Sequence, residues 1–504
     1  MKTFMNKILS RRLLLILTLL ATIFFSFVTF ELNVLPLKYY IPMVVILLLF
    51  ALLLYFIEKD KNDNHPIKVA FFKLVNIILA VALVFGSLSI LKGSDFLASI
   101  TNGGVQSVEI DVAVLKSSSY DKLASLKGKS FGANTSMGAL DINKSETIIE
   151  DEIGDIKVTS YKTNNEVINA LKNHEIEAMI VKEVELDSLN DIEKDFTDQI
   201  RIIKKIQIKK PRINANSAKV TKEPFHILIS GTDKSGPIDT FALSDVNMIA
   251  TINPTTKQVL LTSIPRDYFV DIVGMDGVSG KDKLTHSAKG GMNCTMDTIE
   301  NFMGIDFNYY AKFNFTSFIN VVDALGGITV KVPKYRVIGR DDGVFVTKKG
   351  HYTIKPGVNH FNAKQALSFV RERKAFVEGD AIRGKNQMLM LKAILKKCCS
   401  ASIITKMDKV FESLSSSFET NMSAQEIKSL INMQIDDMAS WDVQTYHLDG
   451  DASKRTSQLA TVGDVTKFNK DGVFITLPDQ QSIDKAKEYI QLVMKNEIVK
   501  VEED

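Results

Sequence analysis

Three short apolar runs adjoin the residues that could do chemistry. Phe225–Ser230 leads into Asp233, Asp245 immediately precedes Val246–Ile252, and Val259–Ile264 leads into Arg266 and Asp267. Runs of this length, rich in Ile, Leu and Val, predict β-strands. If the first two are antiparallel neighbours, both carboxylates lie at one sheet edge and bracket the loop Lys234–Ser244. INPTTKQ is short enough for a tight turn, so the third strand brings Arg266 and Asp267 back to that edge. Two carboxylates with no cysteine or histidine nearby form an oxygen-donor set suited to Mg2+ or Mn2+. An arginine beside such a cation can grip a diphosphate, because its planar fork matches phosphate oxygens.

Arginine usage sharpens the pattern. Lysine outnumbers arginine 51 to 11, so arginine stands out where it occurs. Arg266, Arg371, Arg373 and Arg383 fall in stretches with other unusual features. Arg371 and Arg373 end a helix predicted over Ala363–Lys374. Asp380, Arg383 and Gln387 are spaced three and four apart, which places them on one face of a helix predicted around Ala381–Lys397. The plain alternative is a solvated charged face with ordinary salt bridges, for instance between Glu372 and an arginine. That alternative suits any one of these residues better than it suits the set.

The elements that position them come after three uncharged runs, Leu13–Phe30, Tyr39–Ile57 and Leu74–Leu91. Each is close to the ~20 residues needed to cross a bilayer and shows almost no polar face, which predicts three membrane spans over residues 1–92. A cleaved signal peptide fits the first run poorly, because no small-x-small site follows it and two more spans do. Lys2, Lys7, Arg11 and Arg12 predict a cytoplasmic N-terminus, so the chain after Leu91 would lie outside the cell membrane. Residues 1–92 carry a net charge of +6 and the remainder −3. The external part therefore has no basic domain of the kind a nucleic-acid binder shows. Three cysteines argue against a disulfide framework, and the adjacent Cys398 and Cys399 lack the second pair a thiolate metal site would need.

Gly93 to about Gly104 reads as a short linker. Strands at Val108–Val114 and Ser130–Ala133, a helix at Asn165–Asn173 and a strand at Ile176–Val181 then predict a small α/β domain over about 105–205. Its runs LKGKSFGANTSMGAL and NNEVINALKNHEIEAMIV resemble one lobe of a solute-binding protein, with a structural spacer as the alternative. Ile206–Lys222 reads as a polar linker. The main domain follows over about 220–500, with a helix near Cys294–Met303, a strand at Tyr309–Phe313 and a helix at Phe315–Leu325 that stops at Gly326-Gly327. Ser423 and Glu426 have capping-box spacing.

Taken in order, ILISGTD (227–233), SDVNMI (244–249), SIPRD (263–267), KLTHSAKGG (283–291), VDALGGITV (322–330), ALSFVRER (366–373) and GDAIRGKNQ (379–387) resemble the LytR-CpsA-Psr family. Three spans and an extra domain are similar to its capsule-type members. The resemblance implies an α/β domain with a central mixed β-sheet between helices, holding a polyprenyl phosphate or pyrophosphate lipid in an apolar tunnel. It implies transfer of a glycopolymer from a polyprenyl pyrophosphate carrier onto a peptidoglycan hydroxyl. On the matching positions, Asp233 and Asp245 would hold Mg2+, and Arg266, Arg371, Arg373 and Arg383 would bind pyrophosphate. Gln387 and Asp380 would share the site, with Asp380 ordering an arginine. Asp267 and Asp380 are the candidates for general base. The chain departs from the family pattern at Leu243 and Val246, where Arg and Thr are common, and at Asn386, where a second arginine often stands. Asn362 also replaces a usual glycine. A pyrophosphatase would use the same residues with water as acceptor, and a lipid-sugar sensor would use them without turnover. The acid pair and four arginines argue against the sensor, since binding alone needs no metal.

Overall fold

The computed structural model describes residues 11–33, 35–59, 66–101, 107–135, 139–209, 215–232, 238, 243–275, 278–400, 407–414, 418–455 and 473–502. It begins with three helices long and apolar enough to cross a membrane: α1 (Arg11–Glu31), α2 (Leu37–Lys59) and α3 (Pro66–Thr101). Their few polar groups face one another. Thr18 Oγ1 donates to Asn76 Oδ1 across α1 and α3 at 2.9 Å, and Asn76 Nδ2 donates to Phe72 O, which removes the cost of carrying an amide into an apolar setting. Gly86 admits Phe25 so closely that a Cβ there would lie 2.9 Å from the ring.

Helix α3 corrects the linker reading of Gly93–Gly104, because it stays helical through Thr101. Phe96, Leu97 and Ile100 form a stripe that packs on Phe418, Ala424 and Ile427, and this burial outweighs the helix-breaking composition around Gly93. The main domain thus rests directly on α3. Further ties run from Lys38 Nζ to Asp436 Oδ1 at 2.7 Å and from Asn432 Nδ2 to Asn33 O at 2.9 Å.

The α/β lobe comprises β1 (Ser107–Leu115), β2 (Ser130–Asn134), α4 (Ala139–Ile153), β3 (Lys157–Tyr161), α5 (Asn164–Lys172), β4 (Ala178–Lys182), α6 (Leu186–Ile192) and β5 (Ile200–Lys209). Its sheet runs β3-β2-β4-β1-β5, with β2 parallel to β3 and β4, and β1 antiparallel to β4 and β5. Ile206–Lys209 therefore belong to a strand, not to a linker. Ile206 and Ile208 alternate inward to the lobe's core, which decides against their charged neighbours.

The main sheet has six strands: Phe418–Thr420, Tyr309–Asn314, β6 (Phe225–Thr232), β7 (Val246–Asn253), β8 (Gln258–Ile264) and Asp442–His447, in that spatial order. It is mixed: β7 runs antiparallel to both β6 and β8, whereas Tyr309–Asn314 runs parallel to β6 and Asp442–His447 parallel to β8. One face carries Leu228, Ile249 and Leu260 against α7 (Met292–Met303) and the C-terminal helix Gln480–Met494. The other carries Ala250 and Leu261 against Leu391 and Leu395 of a helix spanning Asp380–Cys398. Strands buried on both faces need the nearly continuous apolar runs seen in the sequence.

Candidate functional site

One end of the β6–β8 hairpins gathers the charged residues. Gly231 pairs with Val246, and the Asp245 N–H donates to Gly231 O at 2.8 Å, so Asp245 starts β7 beside the end of β6. Gly231 is required there: a Cβ would meet Val246 Cβ and the Phe313 ring at 2.9 Å. The β7–β8 turn, with Lys257 at φ 54°, sends β8 back, and Arg266 arrives at the same edge just after Pro265. Asp233 lies outside the described residues.

Arg266 forms an ion pair with Asp245 through Nη1 and sits 3.5 Å from Asp267 Oδ2 through Nε. Asp267 is buried and also meets Lys283 Nζ at 3.2 Å. Lys283 opens the KLTHSAKGG motif, but sequence reading gave it no role. Its partner comes from a different element, and only the motif's position hinted at it.

The second half of the site comes from α8 (Ala363–Arg371) and α9 (Asp380–Cys398). Asn362 caps α8 by accepting from the Gln365 N–H at 3.0 Å, which accounts for asparagine at that position. The helix ends at Arg371, earlier than predicted, because Glu372 turns extended and its carboxylate accepts the N–H groups of Arg373, Lys374 and Ala375. Glu372 therefore shapes the loop through backbone N–H groups, where sequence reading had offered it as an arginine's salt-bridge partner. On α9, Asp380 Oδ2 meets Arg383 Nη2 at 3.0 Å and Asp380 Oδ1 lies 3.9 Å from Arg373. Gln387 Nε2 reaches Val370 O at 3.4 Å and ties the two helices together. Asn386 is buried, accepting from Tyr335 OH at 2.8 Å.

The two halves feel each other. Burial lowers the pKa of Arg383, Asp380 and Asp245 oppose that, and the charges of Arg266 and Arg373 add to it. Burial would lower Arg266 as well, but Asp245, Asp267 and Asp380 outweigh it and raise its pKa. Both guanidiniums stay charged. The structure thus brings together Asp245, Arg266, Asp267, Asp380 and Arg383, with Arg373 exposed at the rim. Arg371 stands apart from this ion-pair cluster, its guanidinium 4.3 Å from the Phe315 ring centre in a cation–π contact.

Some of the cluster's polar atoms make no internal hydrogen bond. Among the described residues, Arg266 Nε and Arg383 Nε are buried and make no hydrogen bond, although Arg266 Nε lies within ion-pair range of Asp267; donors left in this way are costly in a finished core and suit a place where an anion completes the shell. Gly384 follows Arg383 and lets α9 sit on His447, whose Cε1 would be 2.7 Å from any added Cβ. Beside Asp245, Ser244 shares hydrogen bonds with Ser230 and Asn247, both at 2.8 Å. Ser230, Thr232, Ser244, Met292, Thr295 and Lys312 are among the residues lining a small adjoining pocket.

Comparison with known proteins gives this edge a context. The family model described as "LytR_cpsA_psr family" matches residues 193–488. The polyisoprenyl-teichoic acid–peptidoglycan teichoic acid transferase TagU of Bacillus licheniformis is 34% identical over 263 residues, covering 52% of this chain and 75% of that one. TagT of Bacillus subtilis, a transferase of the same description, is 34% identical over 209 residues, covering 41% of this chain and 62% of that one. Among solved structures, Bacillus subtilis TagV is 28% identical with a TM-score of 0.43, covering 55% of this chain and 99% of that one. TagT bound to LIIa-WTA is 27% identical with a TM-score of 0.43, covering 56% of this chain and 95% of that one.

Proposed function

This chain belongs to the LytR-CpsA-Psr family, and from that premise we propose that it is a phosphotransferase moving a glycopolymer from a polyprenyl pyrophosphate carrier onto peptidoglycan. The carrying observation is the half-buried pair of arginines, Arg266 and Arg383, each held by a carboxylate (Asp245 and Asp380) and each with an Nε–H that makes no hydrogen bond among the described residues. Two forks fixed in this way suit a diphosphate, whose charge they neutralise without reorganising during the reaction. Arg373 at the rim adds a third positive charge. Asp267, held by Lys283 and Arg266, and Asp380, held by Arg383, are the groups placed to accept a proton from an attacking sugar hydroxyl. Polyprenyl phosphate leaves as the glycan-bearing phosphorus takes the acceptor oxygen.

Asp245, at the start of β7, and Asp233, next in sequence after β6, would make an all-oxygen donor pair of the kind that suits Mg2+ or Mn2+. When bound, the cation would supply further neutralisation of the diphosphate. In the same reading, the transferred polymer is of capsular or teichoic-acid type, the N-terminus is cytoplasmic, and both folded domains lie outside a three-span cell-membrane anchor. An impermeant thiol reagent on intact cells should label Ser118→Cys and spare Lys59→Cys; the reverse pattern would remove this orientation.

The reaction itself is tested with a lipid-pyrophosphate glycan and oligomeric peptidoglycan. The polymer should appear on the peptidoglycan with polyprenyl monophosphate as the lipid product, and excess chelator should stop both. If free phosphorylated glycan forms equally fast at saturating acceptor, the enzyme is a pyrophosphatase. Full turnover in chelator would remove the metal.

A further inference from the structure

Two contacts between the described residues of the α/β lobe and the main domain each lead to one partner of the Arg266–Asp245 ion pair. The first contact is apolar. Leu243, two residues before Asp245, packs against the lobe's own core. Ser244, between them, is buried and bonded to Ser230 and Asn247, so a shift of Leu243 is passed to the start of β7. The second contact is polar. Lys289 is 1% exposed, and its Nζ donates to Ser188 Oγ on α6 at 3.3 Å. Ser188 Oγ in turn donates to Glu185 O at 2.6 Å, which orients its lone pairs toward the ammonium. Burying an ammonium is costly unless it is well partnered, so this contact is specific to the docked position of the lobe. Lys289 belongs to the 3-10 segment Leu284–Gly290, whose Thr285 N–H donates to Arg266 O at 2.9 Å and whose Leu284 N–H donates to Tyr268 O at 2.8 Å.

From these contacts we infer that the α/β lobe is a positioning device for the reactive edge. It fixes Asp245 through Leu243 and the Arg266 backbone through Lys289, so that the two halves of the ion pair meet in register. Leu243 and Lys289 act here as positioning residues. The catalytic consequence rests on the phosphotransferase reading. The mechanical link does not.

The test uses the full chain in detergent, with amide hydrogen exchange read without substrate. Ser188→Lys sets a like charge against Lys289. It should speed exchange in 284–290 and at Asp245 and lower kcat, each roughly tenfold, as expected when a reacting group is slightly misplaced. The exchanged pair, Ser188→Lys with Lys289→Ser, restores a lysine–serine contact across the same interface and should recover most of both losses. Leu243→Ala should loosen 243–249 whatever stands at 188. Wild-type exchange in folded Ser188→Lys, or no recovery in the exchanged pair, would overturn the inference. If the single variant does not fold, folded Leu243→Ala with wild-type exchange at Asp245 overturns it equally. An inactive wild type with normal exchange responses would count against the phosphotransferase reading alone.

Discussion

Arg266→Ala is expected to lower kcat/KM by about 10- to 150-fold, the equivalent of about 1.5–3 kcal/mol for a charge-assisted contact. The side chain does two jobs in the structure. Its Nη1 holds Asp245, and its Nε–H, which makes no hydrogen bond among the described residues, is the group offered to the diphosphate in the proposed reaction. Removing it also leaves Asp245, Asp267 and Asp380 facing one another with less positive charge between them. Arg266→Lys should restore little, because one ammonium cannot hold a carboxylate and a phosphate in the planar arrangement. Arg266 and Arg383 sense each other's charge, so the Arg266→Ala, Arg383→Ala double variant should lose less than the sum of the single losses. Steady-state kinetics with the lipid-linked donor measures all of these, and near-wild-type kcat/KM in Arg266→Ala would remove this residue from the reaction.

Acidification from pH 7 to pH 5 is expected to destabilise the main domain. His226 and His447 are buried, which holds each imidazole at about 4 against an ordinary 6.5. Near His447 the charge of Lys385 adds to the burial, while Asp306 slightly opposes it at His226. Above about pH 6.5 both rings are neutral in the folded and unfolded chain. Between 6.5 and about 4 the unfolded chain binds protons that the folded chain refuses, so stability falls as pH falls through that window. At pH 5 the cost is about 2 kcal/mol for each histidine. Thermal melting of the full chain at pH 7 and pH 5 should show the drop, and His226→Gln or His447→Gln should shrink it. Equal pH slopes in the wild type and both variants would exclude this origin.

The sheet edge was legible in the sequence because strands buried on both faces leave long apolar runs, and charged residues at their ends then mark one rim. Asp380 and Arg383 were legible for a different reason: their spacing alone puts them on one helical face. What stayed hidden depends on contacts between distant elements. Nothing local announces that Arg371 lies over Phe315, that Lys283 meets Asp267, or that Leu243 packs into another domain. Of the departures from the family pattern, Asn362 is the helix cap its residue type suggests, whereas Asn386 becomes intelligible only in three dimensions, where it is buried and bonded to Tyr335. The reach of α3 was missed because the uncharged run ends at Leu91 and Asn102, Gly103 and Gly104 read as turn formers, whereas tertiary packing of Phe96, Leu97 and Ile100 sustains the helix through Thr101.

The unbroken run of α3 makes it a ruler. A helix of 36 residues measures about 54 Å, and a hydrocarbon core takes up roughly 30 Å of that. The rest rises as a stiff post, with the main domain bolted to its top by Phe96, Leu97 and Ile100. A domain on a slack tether would sample a hemisphere; on the proposed membrane placement this one would be confined to a thin layer at constant altitude. Under the proposed function, a lipid-borne donor would drift in the same plane, and enzyme and donor would find each other by a search in two dimensions. The wall strands open to modification would then be those passing through that layer.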